Sequence, residues 1–503
     1  MPLDPRTPVL VGGGQLNRRD DEPELEPVSM IAEAARAAEA DSRGHGLLRA
    51  LDSVRLVRTL SWKYRDPGRL VADLLGATPS HTAYTADGGD NPQALVAGAA
   101  LDIAVGRADV VLVGGAEAWR TRMRLRAAGR RPDWTVQGEP VPEAPLLGST
   151  QPLLGQGELR IGLDRPSSVY PLFEQSLRIA AGRTVDQRLK QCGELWSRFS
   201  EVAAANPHAW TRRAHSTEEI ITVSPSNRWI SWPYPKLLNS NNMVEQAAAV
   251  LVCSVAAAER AGVPRENWVF PWAATEAHDT FAIAERQSLH RSPAIRIAGR
   301  RLLEHGGIEP GQLGPVDLYS CFPSAVGIAA AELGLPVDDP RRPLTITGGL
   351  TFAGGPWNNY VTHSLATLIT ALRRTGGPGL VTANGGYLTK HALGLYGTEP
   401  PPGSFRFENV QTEVDREPTT RALDRWQGTG VVESWTVVHD RDGVPETAFL
   451  AVRTPGGART LAVNRDPGVV AALVSEDVAG SRAEVRADGT AWPRGAQSIE
   501  EEQ

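Results

Sequence analysis

Cysteine is scarce in this 503-residue chain. The three present, Cys192, Cys253 and Cys321, are odd in number and far apart, which excludes a disulfide framework. No CxxC pair and no HExxH occurs, so no metal site is expected. Lysine is nearly absent too: Lys63, Lys190, Lys236 and Lys390 stand among 52 basic residues, a bias that GC-rich coding produces without any function. No apolar run reaches membrane-spanning length. The sequence enters Pro8-Val9-Leu10-Val11 without the basic region and apolar core of a signal peptide. A net charge of −6 over so long a chain gives little steering toward nucleic acid or anionic lipid. A cytoplasmic protein that engages neither membrane nor nucleic acid is expected.

What is present is a globular composition, 41% hydrophobic and 22% charged, long enough for two to four domains. Residues 8–14 (PVLVGGG) read as a strand and 30–40 as an alanine-rich helix. From 119 to about 235 proline, tryptophan and arginine increase and turns multiply, the texture of an inserted subdomain. Residues 239–242 (NSNN) lead into a strongly apolar stretch and are expected to cap a following helix. In the second half, 316–319, 344–347 and 379–383 read as strands and 324–335 and 360–373 as helices. These two strand–helix halves imply layered α/β architecture. Past the proline cluster at 400–402, alternating segments at 430–439, 446–453 and 460–463, separated by glycine turns, suggest a small barrel.

The segment 82–119 reads strand, glycine turn, helix, strand, with its turn at Gly88-Gly89-Asp90-Asn91 and its end near Gly114-Gly115. Together with the 241–252 segment, the Tyr319-Ser320-Cys321-Phe322 and Thr347-Gly348-Gly349 motifs, Gly354-Gly355-Pro356 and the paired halves, it makes the chain resemble the thiolase superfamily over about 1–402. Among its branches the chain looks most like the actinobacterial thiolase-like proteins type 1. The resemblance implies an α/β fold of two βαβαβαββ halves in five layers (αβαβα). The first half would cover 1–255 with an inserted loop subdomain at 119–235, and the second 256–402. An additional OB-like barrel would cover 403–493, before a disordered tail at 494–503. Acidic residues outnumber basic ones from Phe405 onward, which argues against a nucleic-acid role for that barrel.

The resemblance classes the chain with acetyl-CoA acetyltransferases by descent, acting in acyl-CoA or lipid metabolism. It implies CoA or an acyl-CoA as ligand, with no covalently bound cofactor. Thiolases are usually dimers, so a homodimer is implied, or a monomer if the barrel takes that interface. The reactive positions nevertheless depart from the family. Counting back from Gly106 puts Gly89 at the nucleophilic cysteine, and the family's motifs put Tyr319 at the first residue of NEAF/HDCF, Gly355 at the GHP histidine, and Ala383 or Asn384 at the CxG cysteine. Losing a covalent nucleophile costs about 10⁶-fold in rate and losing an acid/base group roughly 10²–10⁴-fold, so ordinary Claisen thiolysis is not expected. Two readings stay open: retro-aldol cleavage of a β-hydroxyacyl-CoA, with Tyr319, Tyr360 and His363 as candidate side chains, or acyl-CoA binding without reaction. For either, Gly88, Gly89, Asn91, Gly385 and Gly386 are candidates to hold the thioester through backbone donors and close approach. Arg120 and Arg124 are candidates for the CoA phosphates.

Overall fold

A computed structural model describes residues 3–19 and 24–493; the tail expected at 494–503 lies outside them. Two mixed sheets form the frame. In the first, the strands run Pro8–Asn17, Glu245–Ser254, Val110–Ala118, Ser53–Leu56, His81–Thr85 and Leu146–Leu147 in spatial order. In the second the order is Val316–Asp317, Pro378–Gly385, Lys390–Gly397, Phe270–His278 and Arg406–Asn409.

The helices Asn91–Ala104 and Tyr360–Thr375 lie between the sheets and touch both. Each is buried along most of its length because each meets a sheet on two sides. Pro27–Ser42 covers the outer face of the first sheet, and Pro293–Gly306 that of the second. The result is the five-layered αβαβα arrangement implied by the resemblance. Past 402 the strands Arg459–Asn464, Pro445–Arg453, Gly428–His439, Arg482–Val485 and Ala491–Pro493 lie side by side in that spatial order, each paired antiparallel with the next. A parallel bridge between Val463 and Thr490 joins the two ends of that series into a small barrel.

The barrel is built into the rest of the chain. Trp229–Trp232, from the inserted segment, pairs antiparallel with Gly428–His439. Buried Arg178 forks onto both oxygens of Asp477 at 2.7 and 2.9 Å. Leu146–Leu147 covers the outer strand His81–Thr85 with a parallel pair, so that edge does not stand open.

Two local expectations fail. Residues 239–242 do not cap a helix: the apolar stretch after them is the strand Glu245–Ser254, buried along its whole length between two neighbouring strands. A strand buried on both faces loses its polar alternation and reads like a buried helix. The asparagines bind a loop instead, with Asn241 O accepting from the Gly355 N–H at 2.8 Å and Asn242 Nδ2 donating to Gly355 O at 2.9 Å. Residues 344–347 form no strand. Thr345 Oγ1 and the Ile346 N–H donate to Asp317 Oδ1 at 2.8 and 2.9 Å, which bends this β-prone sequence around a buried carboxylate.

Candidate functional site

The turn between His81–Thr85 and Asn91–Ala104 is held from within and from across the molecule. Asn91 Nδ2 donates to Ala86 O and Gly88 O at 2.8 and 2.9 Å. The Gly88 N–H donates to Asn358 Oδ1 at 3.0 Å. Gly89 is buried at its apex. A Cβ built there would lie 2.5 Å from Tyr319 Oη and 2.6 Å from the Asn384 carbonyl oxygen. Real Cβ atoms do not approach so closely, and the second obstacle is backbone. The space beside Gly89 is filled by a phenol from the other half of the chain.

Tyr319 follows the strand Val316–Asp317 by two residues, and its N–H donates to Thr382 Oγ1 at 2.9 Å. Burial pushes its hydroxyl well above the usual tyrosine range, with Cys321 and Asp90 adding to the effect. It is therefore a neutral donor. Its ring meets Tyr360 edge to face, centroids 5.5 Å apart. Tyr360 is differently employed: its hydroxyl donates to Asp317 Oδ2 at 3.0 Å and shares a 2.7 Å hydrogen bond with Thr347 Oγ1. Ser364 donates to the same carboxylate oxygen.

His363 lies on the same helix as Tyr360, its Nδ1 2.8 Å from Gln15 Oε1 and its Nε2 buried without a partner. Burial, with a smaller push from His208, lowers it to about 3, so the ring is neutral at physiological pH. Gly355 is tied to Asn241 and Asn242 as described above. Ala383 is an interior residue of the strand Pro378–Gly385. Asn384 donates from Nδ2 to Tyr170 Oη at 2.9 Å, and its backbone carbonyl oxygen faces Gly89. Cys321 is a buried free thiol, pushed up to about 12 chiefly by burial, and so is not a thiolate. A Cβ on Gly386, at φ 72°, would come within 2.9 Å of Leu153.

The arginine-rich segment forms the helix Trp119–Ala127. Arg120 lies over the Trp210 ring at 5.8 Å, with Arg19 also over that ring at 5.4 Å. Arg124 pairs with Glu24 at 3.4 Å. Neither contact joins these arginines to the Gly89 turn. One side chain that was no candidate in the sequence does reach it: Lys390 Nζ lies 3.5 Å from Asp90 Oδ1 and donates to Asp87 O at 2.7 Å. No motif marks it. The scarcity of lysine was the available signal.

Residues 409–490 match the family model of the thiolase-like protein type 1 additional C-terminal domain. Over 98% of its length the chain overlays on 100% of a monomeric SCP2-thiolase-like protein type 1 from Mycobacterium smegmatis, with 32% sequence identity and a TM-score of 0.82. An Ltp2-ChsH2(DUF35) aldolase shares the fold at 20% identity and a TM-score of 0.59, over 78% of this chain and 99% of that one. An acetyl-CoA acetyltransferase from Methanocaldococcus jannaschii is 25% identical over 240 residues, 47% of this chain and 52% of the relative. The chain thus spans about half the length of that curated relative.

Proposed function

The chain belongs to the thiolase-like protein type 1 family of the thiolase superfamily, and from that premise we propose that it binds CoA thioesters without catalysing Claisen thiolysis. The observation that carries this reading is the 2.5 Å approach of Tyr319 Oη to a Cβ at Gly89. Thiolysis needs a sulfur that attacks the thioester carbon and is acylated in turn. Here that point offers a neutral phenol, and the one cysteine nearby in sequence, Cys321, is held as a thiol. A phenol donor suits the recognition of a thioester oxygen, which only accepts. The similarity to an acetyl-CoA acetyltransferase supports CoA as the carrier, in acyl-CoA or lipid metabolism, and no covalent cofactor is invoked.

Calorimetric titration with acetyl-CoA, beside an acetoacetyl-CoA thiolysis assay, tests the proposal. Binding without turnover is expected. Absence of binding at millimolar ligand, or thiolysis at a thiolase's rate, overturns it.

One observation favours a second reading. A donor beside Gly89 serves retro-aldol cleavage of a β-hydroxyacyl-CoA. In that reaction a base takes the β-hydroxyl proton, and the Cα–Cβ bond breaks to leave a carbonyl product and an enolate. The enolate carbon takes a proton from the donor, and the hydroxyl proton then returns to the donor. Tyr319 Oη is that donor, and Tyr360, whose own hydroxyl is bound to Asp317, buttresses its ring. Cleavage lost in Tyr319→Phe supports this reading; cleavage unchanged in that variant removes Tyr319 from it.

A further inference from the structure

The C-terminal barrel meets the rest of the chain along a groove of about 440 Å³. Its walls are the segment 419–426, the glycine turn 454–458 and Gln287 from the second half of the chain. Arg453 fixes these walls to one another. Its guanidinium donates to Thr420 Oγ1 at 2.9 Å, to Gly457 O at 3.2 Å and to Gln287 O at 2.7 Å. The backbone is tied as well: the Arg459 N–H donates to Arg421 O and the Thr454 N–H to Ala458 O, both at 2.9 Å. The groove is built without help from a ligand.

Its charge is one-sided. Glu433 serves two arginines, with Arg459 donating to both of its oxygens at 2.7 Å and Arg453 Nε 3.0 Å from its Oε2. Arg459 is wholly buried. That burial, with Arg453 adding to it, outweighs Glu433 and holds the Arg459 guanidinium below the ordinary arginine range. Exposed Arg421 brings a further cation to the lining, and no carboxylate lines the groove. Three arginines against one glutamate leave a net charge of +2 beside a low-dielectric interior, which favours an anion of matching charge.

The lining also holds unused donors from both the 419–426 segment and the glycine turn. Among the described residues no acceptor meets the Arg421 guanidinium, the Trp426 Nε1–H or the Gly456 N–H. Trp426 is half-buried and held against Gly428, where a Cβ would lie 2.9 Å from its ring. Leu423, Pro455 and Ala458 add apolar surface. A carboxylate offers two oxygens and a single charge. A phosphomonoester offers three terminal oxygens and a charge of about −1.5 to −2 at neutral pH, and so matches both the donors and the net charge. The apolar part of the lining suits an organic body rather than a bare ion. We infer that this groove between the barrel and the rest of the chain binds the phosphate group of a small phosphomonoester.

The test is calorimetric titration of the full chain with AMP and with glycerol 3-phosphate, each beside its uncharged parent, adenosine or glycerol. At least one ester is expected to bind in the submillimolar range and its parent far more weakly. In Arg421→Ala and Arg421→Gln that ester is expected to lose about tenfold or more in affinity, the range for a hydrogen bond to a charged group. The side chain removed is exposed and has no partner among the described residues, so the thermal midpoint of the unliganded variants should stay at the wild-type value. Absence of binding by both esters at millimolar concentration overturns the inference, as does a parent that binds as well as its ester. An ester seated in the CoA-thioester site proposed above would keep its affinity in both variants. Undiminished binding in them therefore overturns the groove and leaves the CoA reading standing.

Discussion

A Cβ added at Gly89 would meet the Tyr319 hydroxyl at 2.5 Å and the Asn384 carbonyl oxygen at 2.6 Å, whereas one added at Gly355 would find Asn241 O at 3.4 Å and Asn242 Nδ2 at 3.5 Å, ordinary contact distances. Both glycines stand where the thiolase resemblance assigns a reactive side chain. At Gly89 neighbouring groups fill the space, so a side chain there must displace them. At Gly355 the space for a methyl group is open. A position without a side chain can thus be closed or open, and only the closed one has another group in that space.

The largest effect is expected from Gly89→Cys. Its Cβ must displace a phenol and a strand carbonyl, and overpacking of this kind costs about 2–3 kcal/mol. Urea unfolding, read as a shift in midpoint at constant slope, checks this. A Gly89→Cys protein of wild-type stability that gains thiolysis would break the comparison.

The two tyrosines sharpen it at an intermediate scale. Tyr360→Phe removes a donor from the buried Asp317 carboxylate and is expected to cost about 1–2 kcal/mol. Among the described residues no hydrogen bond of that kind holds Tyr319 Oη, so Tyr319→Phe should change stability by less than about 0.5 kcal/mol. Equal losses in the same denaturation experiment would make the Tyr319 hydroxyl a structural group and remove its claim on a ligand.

Much of the frame was legible in the sequence because local signals agreed with tertiary ones. The glycine turn at 88–89, the apolar helix after it and the strand ending near Gly114-Gly115 each carry their own pattern. Legibility failed where burial or a distant carboxylate overrode the local pattern. Glu245–Ser254 has neighbours on both edges and shows no alternation, and Thr345 and Thr347, good strand formers, bend around Asp317. The site was legible only as vacancies. Motif position picked out Gly89 and Tyr319, but that one fills the other's space is a contact across 230 residues of chain. The Asp90–Lys390 pair joins residues 300 apart and belongs to no motif.

The smallest expected effect lies at Gly355, and the residue before it supplies the control. Gly354 has φ 106°, and a Cβ there would lie 2.2 Å from Gln246 Oε1. Gly354→Ala therefore meets both a backbone conformation that L-residues avoid and an occupied space, and should destabilise by about 1–2 kcal/mol. Gly355 has neither obstacle. Alanine there also restricts the unfolded chain, a gain of about 0.4–1 kcal/mol where the native backbone accepts it. Gly355→Ala should therefore fall between neutral and a gain of about 0.5 kcal/mol. If instead Gly355→Ala costs as much as Gly354→Ala, the loop is closed as firmly as the Gly89 turn, and the two positions are of one kind.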